Sequence, residues 1–182
     1  ITSVSFLAIA LLSFPTFFQS CKDEKKEVLP PPIPDQSFAE EFDNLSSAAS
    51  KGWKFINHSE PVGTRNWTAG NSFYFPAYSG TNYIVCDFQA VNDNGTISVW
   101  AVSPSITMQN GDKIVFYTRS ANSNSNPASV FPDRLQLRFS KKDTVDVGSS
   151  AADLGAFTEG LVDINPNLEV ADPVAYPDAW TR

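Results

Sequence analysis

The sequence predicts an all-β fold, an antiparallel β-sandwich, and three observations carry that reading. Short runs rich in Val, Ile, Phe, Tyr and Trp recur from Phe38 onward. Turn-forming Asn, Asp, Gly and Ser residues divide them. No stretch keeps a helical spacing of apolar residues for ten positions. β-Branched and aromatic side chains suit a pleated, half-buried surface, and short strands split by turns without repeats indicate a sandwich.

The elements follow in chain order. "NYIVCDFQA" (82–90) is dense in strand formers and predicts the first clear strand. "NDNG" (92–95) predicts a hairpin turn, because Asn and Gly tolerate positive φ. "TISVWAVS" (96–103) predicts the next strand, "QNGD" (109–112) a second turn, and "DKIVFYTRS" (112–120) a further strand. "SANSNSNPAS" (120–129) is a long polar loop. "DRLQLRFSK" (133–141) alternates: Leu135, Leu137 and Phe139 point one way, Arg134, Gln136 and Arg138 the other. That is a strand with one buried and one polar face. Trp53, Trp100 and Pro104 are expected in the core.

Composition narrows the function classes. Of 182 residues, 42% are hydrophobic and 18% charged, as suits a globular domain with a tail. The net charge of −7 argues against nucleic acid, whose phosphates require clustered Lys and Arg. Cys21 and Cys86 are too few and too separated for a disulfide framework or a zinc site. His58 is the single histidine, and no G-x-S-x-G, H-E-x-x-H or P-loop occurs. Any acidic chain offers carboxylates for glycoside hydrolysis, so an enzyme stays open. Cys86, inside an apolar run, reads as a small buried hydrophobe. "DTV" (143–145) has the form of a bacterial O-glycosylation acceptor.

The N-terminus sets the expected address. Residues 1–20 contain no charge, and Val4 to Leu12 form an apolar run of signal-peptide length. Serines and Pro15 interrupt it too much for a good bilayer span. The chain begins at Ile1, without Met or a basic segment, so the expectation is a clipped lipoprotein signal peptide. Phe18-Gln19-Ser20 before Cys21 resemble a lipobox; Ser20 fits, whereas Phe18 and Gln19 depart from the usual Leu and small residue. The Cys21 thiol would carry a diacylglyceryl group and the new amino terminus a further acyl chain. Each buried methylene contributes about 0.8 kcal/mol, so several chains anchor where one does not. Lys22, Asp23 and Glu24 resemble the signal that sends lipoproteins to the surface of some Gram-negative bacteria. The proline-rich remainder of a 21–36 tether is expected to be extended. The domain is then 37–182.

An ordered series of segments carries a more specific resemblance: "GW" (52–53), "FPAYSGTNYI" (75–84), "ISVWAVSP" (97–104), "NGDKIVFYTRS" (110–120), "FPDRLQLRFS" (131–140), "VG" (147–148), "DINP" (163–166) and "YPDAWT" (176–181). Together they resemble the choice-of-anchor J domain, a family similar to cleaved-adhesin and MAM-like jelly rolls of secreted bacterial proteins. The resemblance implies a jelly-roll-like sandwich joined to a surface anchor. It also implies further strands beyond "YPDAWT", so the expectation is a domain lacking its C-terminal strands, with exposed sheet edges. Related jelly rolls hold structural calcium between first and last strands. By that analogy Glu40, Glu41 and Asp43 in "FAEEFDN" are the candidate Ca²⁺ ligands, with solvated acids as the alternative.

Ligand candidates come from polar, loop-like surroundings. Trp67 and Tyr78 offer aromatic faces on which sugar rings stack; packing within the fold is the other reading. Arg119, Asp133 and Arg134 suit either a surface ion network or an Arg fork for a carboxylate. Arg138 shares the polar face of Arg134. The expected function is a non-catalytic adhesion or binding domain on an outer-membrane lipoprotein at the cell surface, with a glycan or protein ligand. The alternative is an accessory module of a secreted hydrolase. Mass spectrometry of the native protein should find Cys21 as an acylated amino terminus. An unmodified thiol there, with the upstream segment attached, would overturn this address.

Overall fold

A computed structural model describes residues 31, 34–35, 37–121, 131–171 and 175–182. The chain divides into two units, 1–35 and 36–182, and the second contains every secondary-structure element described below. The segment expected to be a signal peptide (1–20), Cys21 and nearly all of the expected 21–36 tether lie outside the described residues.

The β class expected from the sequence is what the molecule adopts. The strands are β1 (Lys54–Asn57), β2 (Glu60–Val62), β3 (Thr68–Ala69), β4 (Ile84–Val85), β5 (Val91–Thr96), β6 (Val99–Val102), β7 (Leu135–Phe139) and β8 (Glu159–Ile164). Among the described residues they pair only as two-stranded antiparallel ladders: β1 with β6, β2 with β5, β3 with β4, β7 with β8. One short helix, α1 (Leu45–Ser50), precedes them. The Asn44 side chain caps it by accepting from the Ser47 amide, and Gly52 at φ +105° ends it. Six residues are too few to show an apolar period, which is why the sequence does not announce it.

The β1–β6 and β2–β5 ladders form one arm, joined across a polar hinge. His58 donates its amide to the Ser98 carbonyl at 2.8 Å. The buried Ser59 hydroxyl then accepts the Ser98 amide at 3.0 Å. Asn57 completes the hinge: its Oδ1 accepts the Ser59 amide, and its Nδ2 donates to the carbonyls of Arg65 and Ala90. Side chains here make the bonds that a continuous ladder would make through its backbone.

Three local expectations need correction. "NDNG" is not a hairpin turn but the middle of β5. Glu60 pairs with Thr96 and Val62 with Val91, so Pro61 stands opposite residues 92–95 in a wide irregularity. Asp93 takes φ +55° there; tolerance of positive φ makes a bulge rather than a turn. In "NYIVCDFQA" only Ile84–Val85 is strand, and Phe88–Ala90 form a 3₁₀ turn capped by the Asp87 side chain. The 112–120 segment, expected as a strand, joins no named strand; within it Thr118 alone bridges, to Thr181. The second expected turn does form, with the Asp112 amide donating to the Gln109 carbonyl and Gly111 at φ +101°.

The core is small. Its buried apolar residues are Ala48, Phe75, Tyr83, Ala90, Val102 and Val147. Trp53, Trp100 and Pro104 are half-buried rather than core. Trp53 meets Phe42 edge-on at 4.7 Å and Trp100 meets Phe157 at 5.8 Å. In a two-stranded ladder each side chain has fewer neighbours above it than in a full sheet, so large rings keep one side wet. Exposed apolar residues, including Ile114, Val115, Leu161 and Val162, show the same thinness.

The hinge generates a stability prediction. Ser59→Ala removes the acceptor of the half-buried Ser98 amide, and should cost about 1 kcal/mol in denaturant unfolding. Ser98→Ala keeps that amide paired and should be nearly neutral.

Candidate functional site

The segments around residues 71–83, 117–120 and 176–181 converge on one aromatic cluster. Tyr83 anchors it. Its ring is buried and packs face to face with buried Phe75, centroids 4.7 Å apart. Its hydroxyl donates to the Asn71 carbonyl at 2.8 Å and accepts the Asn71 amide at 3.1 Å. Gly70 lies against that ring, where a Cβ would stand 2.4 Å from it. Trp180 places its edge on Phe75 and Tyr83, 5.6 and 5.7 Å away, and its indole N–H donates to the Pro76 carbonyl. Thr118 and Thr181 exchange backbone bonds of 2.9 and 3.0 Å, and Ser120 donates to Pro177, which holds the last segment in place.

Above this base stands Tyr78. It is stacked on Tyr117 at 3.6 Å and 15°, yet 52% of its surface is exposed. The neighbouring Tyr117 hydroxyl holds the Tyr78 phenol above its ordinary pKa. Arg119 lies 4.2 Å from the centre of the Phe75 ring, a cation–π contact, and donates to the carbonyls of Ser120 and Asp178. Phe73 and Tyr74, 86% and 69% exposed, sit edge to face at 5.6 Å in the same segment. Most aromatic rings of a soluble domain have their faces covered; here buried rings support exposed ones.

The structure therefore separates the ligand candidates. Tyr78 and Arg119 belong to the cluster. Trp67 does not: it is half-buried next to β3, and its indole nitrogen is buried with no hydrogen-bond partner among the described residues. Arg134 immediately precedes β7, and Arg138 lies within it. Arg134 grips Asp163 of β8 with two bonds, 2.9 and 2.6 Å. Gln136 donates to the same carboxylate, and Arg138 donates to Gln136 and to the carbonyls of Phe157 and Thr158. Arg134 is thus engaged in an ion pair, but with Asp163 rather than with Asp133, and Arg119 lies apart from it against Phe75. Asp133 is exposed as a residue, while burial of its carboxyl raises its pKa. Phe75, Tyr83, Tyr117 and Trp180 are the ring-bearing cluster members not singled out from the sequence as ligand residues. The only local signal was the aromatic density of "SFYFPAY" (72–78) and "VFY" (115–117).

Two of the three carboxylates expected as calcium ligands are engaged within the chain. Glu40 pairs with Lys51 at 3.0 Å and accepts the Phe42 amide. Asp43 accepts the amides of Thr81 and Asn82 at 2.5 and 2.9 Å, and these bonds lower its pKa. Glu41 is exposed. Among the described residues no three His, Cys, Asp or Glu side chains gather to hold a metal ion. The Nδ1 of His58 is buried without a hydrogen-bond partner among the described residues. Cys86 is a half-buried free thiol, and burial pushes its pKa up to about 11, which leaves it protonated and unreactive at neutral pH. Cys21, Lys22, Asp23 and Glu24 lie outside the described residues.

Comparison with family models, with curated proteins and with solved structures finds no match to this chain.

The Arg134 guanidinium holds Asp163 at about 2, against an ordinary 3.8. The charged form is therefore favoured in the folded state. Its contribution is present above pH 3.8 and is lost as pH falls toward 2. Both partners are partly exposed, so solvent screening keeps the effect below about 1 kcal/mol. Asp163→Asn should lower stability at pH 6 by that amount and remove this part of the acid dependence, as read by urea melts across pH.

Proposed function

We propose that this domain is a non-catalytic binding module, a β-sandwich displayed at the cell surface through a lipid anchor on Cys21. Its ligand is a glycan that docks on the ledge of Tyr78 and Tyr117. The carrying observation is that Tyr78 keeps 52% of its surface exposed while Tyr117 covers one of its faces. A ring held in this way loses little further freedom when a sugar face covers it, so the contact energy is not spent on ordering. The Phe75–Tyr83–Trp180 base beneath supplies that rigidity. The net charge of −7 favours neutral or weakly charged saccharides over polyanions.

A glycan screen with the complete domain, with and without chelator, tests the reading. Tyr78→Ala and Tyr117→Ala should each weaken binding by about threefold to tenfold, the range of one aromatic contact. Their thermal melts should stay close to the parent, because both rings are solvent-facing. Unchanged binding in both variants, or no saccharide bound by the folded domain, overturns the glycan assignment.

A further inference from the structure

The chain contains two Asn-Gly steps, Asn94-Gly95 and Asn110-Gly111, and the fold treats them oppositely. We infer that Asn110 is a site of spontaneous backbone-assisted deamidation and that Asn94 is protected. The reaction needs only the chain and water. The Gly amide nitrogen gives up its proton and attacks the Cγ of the preceding Asn. A new C–N bond closes a five-membered succinimide, and the side-chain nitrogen leaves as ammonia after taking up a proton. Water then opens the ring at one of its two carbonyls, leaving aspartate or isoaspartate. No redox partner is involved.

The step requires the Gly nitrogen to swing onto the Asn side chain, so freedom around the Gly backbone decides the rate. Glycine lacks the Cβ that would obstruct this approach, which makes Asn-Gly the permissive pair. Asn110 and Gly111 are exposed at the centre of the 109–112 turn. A Cβ built on Gly111 would meet nothing within 4 Å among the described residues. The turn is closed by its outer residues: the Asp112 amide donates to the Gln109 carbonyl, and the Gln109 amide to Asp112 Oδ2. Both bonds are made by the outer residues and not by the Asn110–Gly111 peptide between them.

Asn94 and Gly95 are exposed as well, but they lie within β5. A Cβ on Gly95 would stand 2.1 Å from the Glu60 carbonyl oxygen and 2.8 Å from Pro61 and Val91 side-chain atoms. The adjacent Thr96 is paired with Glu60. Turning Gly95 toward the Asn94 side chain would drive its backbone into these neighbours, so β5 must first open. Reaction at Asn110 adds one negative charge to a chain already at −7. The isoaspartyl product also lengthens the backbone a few residues ahead of Tyr117, the support of the Tyr78 ring.

The test is incubation of the purified full-length protein at mildly alkaline pH, followed by chymotryptic mapping, which separates the two sites at Trp100. The Asn110 peptide should gain the mass difference between OH and NH₂ and split into aspartyl and isoaspartyl forms. It should do so faster than the Asn94 peptide by on the order of tenfold, since β5 opening precedes reaction there. In concentrated urea the two rates should converge. Asn110→Gln, which would have to close a larger ring, should abolish the modification at that position. Equal or faster conversion at Asn94 in the folded protein overturns the inference. So does an Asn110 peptide that stays unchanged while its urea control converts. A rate difference that persists undiminished in urea overturns it too, by tracing the selectivity to flanking sequence rather than to the fold.

Discussion

The interaction on which the rest depends is the bond between the buried Ser59 hydroxyl and the Ser98 amide, with Asn57 bracing it from the other side. Ladders of two strands leave each strand with one unpaired edge and one thin apolar layer, and such pairs are marginal alone. Joining two ladders end to end gives the arm greater length, but the join breaks the backbone register. A backbone amide buried there without a partner would forfeit its solvation, so a side chain must replace the missing carbonyl. Ser59 and Asn57 do this, and the strands on both sides keep their pairing.

The same device recurs across the domain. Asp43 binds the amides of the 80–82 loop, Asp87 caps the 3₁₀ turn, and Asp153 binds the Ser149 and Gly155 amides. Asn165 bridges Asp133 and Glu169 through their backbones. Much of the acidic surface is thus structural: carboxylates are spent on loop amides, which lowers the pKa values of Asp43 and Asp153. Gly80 shows how closely one such loop is drawn in, since its missing Cβ would lie 2.6 Å from Asp43 Oδ1 at a φ of +68°. A fold short of buried apolar area gains order from many local polar bonds, each of modest strength.

Aromatic residues supply what the small core does not. Phe75, Tyr83 and Trp180 come from segments more than ninety positions apart and are locked by polar bonds at their rims, from Tyr83 to Asn71 and from Trp180 to Pro76. Their packing turns a loop region into a firm base, and the rings above it remain solvent-facing without being loose. The arrangement links stability to recognition, because the rings that hold the segments together also set the orientation of the exposed pair.

Sequence by itself determined the β class, the alternation of the first three residues of β7 and the turn at Gly111, because these depend on residues adjacent in the chain; past Leu137 a register shift leaves Arg138 as covered as its apolar neighbours. Leu135, Gln136 and Leu137 reveal their faces by a period of two, and Gly111 by its freedom at positive φ. The ligand candidates were only partly legible: Tyr78 stood out by its polar neighbours, whereas Tyr117 read as strand and Trp180 as a motif residue. Trp67 has equally polar neighbours and is nonetheless half-buried. Tertiary structure alone decided that "NDNG" bulges within β5, that Asp43 binds a loop almost forty residues away, and that three distant segments share one aromatic cluster. The physical reason is that burial and stacking depend on which surfaces meet. Residues 78, 117 and 180 carry no local trace of one another.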